Sequence, residues 1–274
     1  MWGWTFVLVK DAITQYPTLG FLQLRFILAA LVMVAVVHRR PTRRELWTGA
    51  VAGSILAGGY LFQTLGLAMT SPGNAGLITG LFVVFTPLLD RVFGGSVHRR
   101  TLIAVVVALG GTVMLTGGIG GMGLGDALVL VCALLYALHI VVLSRWSPGL
   151  RSAPLAMVQM ATCAVIFSIG GAPTLHALPN ASVWVAIVVT GVFASAIGYY
   201  LQTWAQQHLD ASRTALILTT EPAWALVAAV VLAGQRLNAL QTAGAALVLA
   251  AIVGHELVPL LGRDRRANKI GGSP

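Results

Sequence analysis

Apolar and polar positions alternate along this chain in blocks of about twenty residues, far longer than the repeat of an amphipathic helix or strand. Apolar stretches over 1–14, 18–37, 46–68, 74–93, 101–117, 125–144, 153–171, 182–206, 212–233 and 237–258 are separated by short polar gaps. About twenty apolar residues rising 1.5 Å each cross the ~30 Å hydrocarbon core of a bilayer. In lipid, a helix satisfies its backbone donors and acceptors within one segment. The pattern therefore predicts an all-α, polytopic membrane protein with ten transmembrane helices. The first stretch is short for a crossing, so the chain is expected to begin inside its first helix. The short gaps leave no room for a soluble domain.

Charge sorts the gaps into two kinds. His38 to Arg44, Arg91 to Arg100, Arg145 to Arg151, Arg213 and the tail from Arg263 to Lys269 are basic, and they occupy every second gap. Fourteen of the seventeen Lys and Arg lie there; Lys10, Arg25 and Arg236 are the exceptions. This is positive-inside asymmetry. It predicts a multi-pass protein of the inner (plasma) membrane with both termini cytoplasmic.

Composition narrows the classes. Hydrophobic residues make up 57% of the chain and charged residues 9%, with a mean hydropathy of +0.87. Soluble domains carry about 25% charged residues, so the chain could not cover itself with polar surface in water. The formal charge of +9 suits anionic headgroups, whereas its short, dispersed basic patches lack a nucleic-acid footprint. The expected partners are membrane lipid and a small-molecule solute, with no nucleic acid and with the monomer as the working unit. Cys132 and Cys163 lie inside apolar stretches and read as core residues rather than a disulfide. The terminal Gly271-Gly272-Ser273-Pro274 reads as linker.

A weak repeat divides the chain in two. Tyr60-Leu61-Phe62-Gln63-Thr64 returns as Tyr199-Tyr200-Leu201-Gln202-Thr203, and at the same offset Gly76-Leu77-Ile78 meets Ala215-Leu216-Ile217. Helix three thus maps onto helix eight, five helices later. Five is odd, so the halves enter the membrane in opposite senses, as in transporters that alternate access around a midplane site. The predicted domains are 1–120 and 121–262, each a five-helix repeat, with 263–274 as a cytoplasmic tail. Small residues spaced by four, as in Gly49/Gly53, Gly76/Gly80 and Ala194/Gly198, permit close helix packing.

At these residues the chain resembles the EamA type of the drug/metabolite transporter superfamily. Trp2-Gly3-x-x-Phe6-x-x-x-Lys10 and Leu24-Arg25-Phe26-x-Leu28-Ala29-Ala30 resemble that family's first hairpin. Ala75 to Leu88, with Thr86-Pro87, and Ala215 to Pro222, with Glu221-Pro222, resemble its two Pro-bearing helices. The resemblance implies two five-helix bundles that move small organic molecules, usually out of the cell. Aromatic amino-acid exporters of the YddG kind are the nearest comparison within it.

Several residues could carry that function. Glu221 near mid-membrane is costly, roughly 2.5–3.5 kcal/mol on insertion scales, so it should face a cavity or a partner. It reads as a substrate-amine or proton site, or as a packing residue bonded to its neighbours. Pro222 and Pro87 remove backbone donors and are the expected hinges. Lys10 could meet a substrate carboxylate or snorkel to the outer interface; Arg25 reads as snorkelling or capping. His139 is a neutral core residue or a group whose protonation couples to transport. Trp4, Tyr60, Phe82, Tyr136, Tyr199, Tyr200 and Trp204 lie away from the helix ends where interfacial aromatics gather, and could line a cavity. Gln63 and Gln202 occupy matching repeat positions and could bond across the interface or touch solute.

Gly118-x-Gly120-x-x-Gly123 fits a dinucleotide fingerprint but follows no strand, so no cofactor is expected, and no metal-ligand cluster is visible. The expected function is export of metabolites, most of all aromatic or hydrophobic amino acids, by alternating access at a central cavity. The alternatives are a multidrug or cationic-compound exporter and an intramembrane lipid-modifying enzyme. The second needs a catalytic constellation that the sequence does not offer, so no enzyme activity is expected.

Overall fold

The computed structural model describes residues 2–95, 99–118, 121–171, 178–208, 218 and 220–270. Among them every regular element is helical: α1 (Thr5–Gln15), α2 (Thr18–Val36), α3 (Arg43–Met69), α4 (Pro72–Thr79), α5 (Phe82–Val92), α6 (Arg99–Leu115), α7 (Leu124–Trp146), α8 (Ser152–Gly171), α9 (Ala181–Val188), a π-helical segment (Val189–Ile197), α10 (Gly198–His208), α11 (Thr220–Val231) and α12 (Ala239–Ile270). Among the described residues six spans are long and apolar enough to cross a membrane: α2, α3, α4 with α5, α7, α8, and α9 through α10. Side chains such as Leu31, Val106, Ile169 and Val231 stand exposed on the outside of the bundle, where a water-soluble protein would bear polar groups. This is a membrane protein.

Local chemistry sets the helix starts. Thr42 accepts from the Glu45 amide at 3.3 Å while the Glu45 carboxylate accepts from the Thr42 amide at 2.7 Å, a reciprocal capping box that opens α3. Ser71 caps α4 ahead of Pro72, and the Asn180 side chain accepts from the Val183 amide to open α9.

The long helix α3 lies between α7 and α8, and glycines make that contact close. A Cβ on Gly53 would stand 2.8 Å from Thr162 Cβ and 2.9 Å from the Gln159 carbonyl oxygen, and one on Gly66 would press on Gly125 and Val129. Fully buried Phe21, Phe26, Leu56, Leu67, Leu77, Ile78 and Leu81 fill the centre.

Two expected continuous helices are interrupted. The fourth stretch breaks at Gly80–Leu81, not at Pro87. There the hydrogen bonds tighten, with Leu81 N–H donating to Ile78 O and Val83 N–H to Gly80 O, and the Gly80 backbone seats against the Pro222 ring. Pro87 stands inside an unbroken α5. The eighth stretch carries the π-helical segment, which periodicity cannot reveal because the apolar run continues through it. Of the repeat pairs, Ala215-Leu216-Ile217 lies outside the described residues.

Candidate functional site

A cavity opens at the centre of the bundle, lined by α1, α2, α3, α5, α7, α10, α11 and Leu218. It brings together eight of the residues singled out from sequence: Tyr60, Gln63, Phe82, Tyr136, His139, Tyr199, Gln202 and Glu221. Arg25, Trp2, Thr5, Phe6 and Thr64 join them. Its volume is about 50 Å³, room for a few waters at ~10–15 Å³ each.

Tyr60 on α3 is the hub. Its ring meets Phe26 at 4.9 Å, Tyr136 at 5.6 Å and Tyr199 at 6.1 Å, all edge-on. The guanidinium of Arg25 lies 4.5 Å from its ring centroid, over the π face. Edge-to-face rings and cation–π contacts of this kind are favourable without closing the cavity to a guest. The Tyr136 hydroxyl donates to Gln63 Oε1 at 3.2 Å, and Gln63 Nε2 donates to Thr79. Gln202 behaves differently despite its matching position: it donates to Gln206 one turn on, and Gln206 reaches Ile140 O and Ser144 across to α7.

His139 is 1% exposed, and its Nε2 lies 2.8 Å from Gln159 Oε1. Gln159 turns its amide nitrogen to Thr203 Oγ1 at 3.1 Å and to the Leu155 carbonyl. A carbonyl only accepts, so Gln159 presents its oxygen to the ring and His139 carries hydrogen on Nε2. The buried amide therefore fixes the tautomer.

Arg25 was expected to snorkel or cap. Instead it is 3% exposed in the cavity wall, with Nε donating to Ser195 Oγ at 3.0 Å and Nη2 to the Tyr60 hydroxyl at 3.1 Å. Ser195, which meets Arg25, and Ala194, whose carbonyl accepts from Trp2 Nε1 at 2.6 Å, both lie in the π-helical segment. Such segments recur at functional sites. The available sequence signal was a single charge deep within a 19-residue apolar helix.

Three candidates lie elsewhere. The Lys10 ammonium donates to the carbonyls of Leu67, Ala68 and Thr70 at 2.7, 2.9 and 3.1 Å, so its three donors close the C-terminal end of α3 rather than face the cavity. Trp4 is exposed, and Trp2, two residues earlier, occupies the wall in its place. Tyr200 points outward, as it must one residue along the helix from Tyr199. Glu221 stands in the first turn of α11, with no hydrogen bond or ion pair to its carboxylate among the described residues. Pro222 follows it in a first turn, where a missing N–H is tolerated. Gly3 brings α1 close to this turn, since a Cβ there would stand 2.7 Å from the Glu221 carbonyl oxygen.

Over residues 1–117 and again over 123–255 the sequence matches the profile of the EamA-like transporter family. The chain belongs to that family. A transporter of Archaeoglobus fulgidus is 30% identical over 92% of this chain and 81% of its own length. The Escherichia coli inner membrane transporter YedA is 23% identical over 92% and 86%. An Escherichia coli protein described as a "probable amino-acid metabolite efflux pump" is 26% identical over 99% of this chain and 95% of its own. A solved crystal structure superimposes with a TM-score of 0.67 at 18% identity, covering 94% of this chain and 99% of the other, which supports the fold. In this EamA-like transporter the central cavity gathers the Arg25 guanidinium, the Glu221 carboxyl group and a ring of aromatic faces.

Proposed function

We propose that this protein exports small amphipathic metabolites, most of all amino acids with aromatic or hydrophobic side chains, by alternating access. The observation that carries the proposal is the cavity, whose aromatic wall is drawn from both halves of the chain: Tyr60 and Phe82 from one, Tyr136 and Tyr199 from the other. Transporter relatives make an enzyme the lesser reading.

The transport unit is ten crossings built as two inverted five-helix repeats, 1–120 and 121–262. Packing supports this, because α2 lies on α8, α4 on α11 and α6 on α12, each pair five crossings apart. Tyr60 and Tyr199, the matching residues of the two halves, touch at 6.1 Å; equivalent residues meet only near a twofold axis. The Thr42 and Asn180 caps are 138 residues apart and the two tyrosines 139. The π-helical segment lies between Asn180 and Tyr199 and accommodates the one added residue. The two stretches matched by the family profile, 1–117 and 123–255, support the same division.

The protein sits in the inner membrane with its basic gaps, and so both termini, on the cytoplasmic side. The halves rock about the contact of Gly80 with Pro222, and the cavity opens to one face at a time. The monomer, in lipid and without cofactor, is the working unit. Export of cationic drugs is the second reading. Glu221 favours it, but the buried Arg25 guanidinium in the same cavity opposes a cationic guest.

Counterflow in proteoliposomes tests the proposal with a mixed amino-acid pool against cationic dyes. Amino acids should exchange, and Tyr60→Ala and Glu221→Gln should each slow exchange about tenfold or more, some 1.4 kcal/mol in the transport barrier. Exchange of dyes alone, or variants at wild-type rates, would refute it.

A further inference from the structure

Arg25 has more hydrogen-bond capacity than the fold uses. Of its five N–H groups, Nε bonds Ser195 and one hydrogen of Nη2 bonds Tyr60. Both hydrogens of Nη1 and the second of Nη2 have no partner among the described residues. Neither partner is an anion. Ser195 and Tyr60 are neutral, and the two ion pairs among the described residues, Arg145–Asp90 and Arg151–Glu45, lie elsewhere. Buried cations are normally paired, because an uncompensated charge in low dielectric is costly. Glu221 shares the cavity and also makes no ion pair with Arg25 or any described residue.

We infer that Arg25 is the anion-recognition residue of the cavity, receiving the carboxylate of a zwitterionic solute while Glu221 receives its ammonium group. The inference rests on the cavity being the export route, and it sets the substrate class as solutes that bear a carboxylate. The geometry suits it. Ser195 and the Tyr60 hydroxyl hold the guanidinium by its Nε edge, the Tyr60 and Phe26 rings lie 4.5 and 5.4 Å from its carbon, and Nη1 makes no hydrogen bond to a described residue. A planar fork held in this way can take both oxygens of a carboxylate, which a lysine ammonium cannot do. The apolar remainder of the solute would then lie among Phe82, Tyr136 and Tyr199.

Counterflow of phenylalanine and phenylalaninamide provides the test, since the two differ only at the carboxylate. Wild-type protein should prefer the acid by about tenfold or more, because a site built around a charged hydrogen bond rejects the analogue that lacks it. Arg25→Gln should exchange both at similar rates, and Arg25→Lys should recover part of the preference. Equal rates for acid and amide in the wild type would overturn the inference while leaving amino-acid export standing, and this comparison needs no variant to fold. A preference for the acid that persists in Arg25→Gln would also overturn it. Absence of exchange with any amino acid would overturn the export reading and this inference with it.

Discussion

Replacing Gln159 by Leu probes the buried polar chain behind the cavity. Gln159 is 0% exposed and its two ends bond His139 and Thr203, which are 1% and 0% exposed. Leucine keeps most of the volume and removes both partners. A buried donor left without a partner costs about 1–3 kcal/mol. Thr203 only accepts from Gln159 and its own O–H does not depend on that bond, so the donor left without a partner is the His139 N–H. The expected destabilisation is therefore about 1–3 kcal/mol for Gln159→Leu. In a chain of this size that lowers the midpoint of thermal unfolding by roughly 2–4 °C per kcal/mol, as measured in detergent micelles. The double variant His139→Leu/Gln159→Leu removes donor and acceptor together. It should be more stable than the sum of the two single variants by about 1–2 kcal/mol, the coupling of residues in one network. If the two losses simply add, the hydrogen bond does not hold these helices together, and the assigned tautomer has no support.

Other variants separate packing from transport. Gly53→Leu places a side chain where even a Cβ meets Thr162 and Gln159 within 3 Å, so it should cost at least about 1–3 kcal/mol by overpacking and reduce the yield of folded protein in detergent. Gly80→Ala drives a methyl group into the Pro222 ring and should slow counterflow, whereas Pro87→Ala, within a continuous α5, should leave the rate near wild type; the reverse order would place the flexible point at Pro87. Lys10→Met removes three bonds to the end of α3 and should lower stability by about 1 kcal/mol with KM unchanged. A raised KM would return Lys10 to the solute path.

Much of the architecture was legible in the sequence because lipid imposes simple rules. Apolar length marks helices that can cross, and Arg91 to Arg100 or Arg145 to Arg151 mark loops of one kind. A charge such as Glu221 within an apolar run pointed to the cavity because burial without purpose is costly. Residues one step apart are harder to separate, since a helix turns 100° per residue. Tyr199 therefore lines the wall while Tyr200 faces outward, and ahead of α1 Trp2 lines the wall while Trp4 is exposed; no composition rule tells one from the other.

That the chain is a helical membrane protein, with basic residues sorted into alternate gaps, could be read from apolar length and charge because both follow from the solvent. Tertiary structure alone decided which polar groups are spent and which remain free. Lys10, for which sequence leaves open a solute carboxylate or the outer interface, is consumed by the carbonyls of Leu67, Ala68 and Thr70 at the end of α3. Arg25, which looked structural, stands in the cavity with donors to spare. Hydrogen-bond partners lie 57 to 60 residues away for Lys10 and 35 and 170 for Arg25. Whether a buried charge is satisfied depends on groups brought together by packing across the fold, and that information is absent from any local window of sequence.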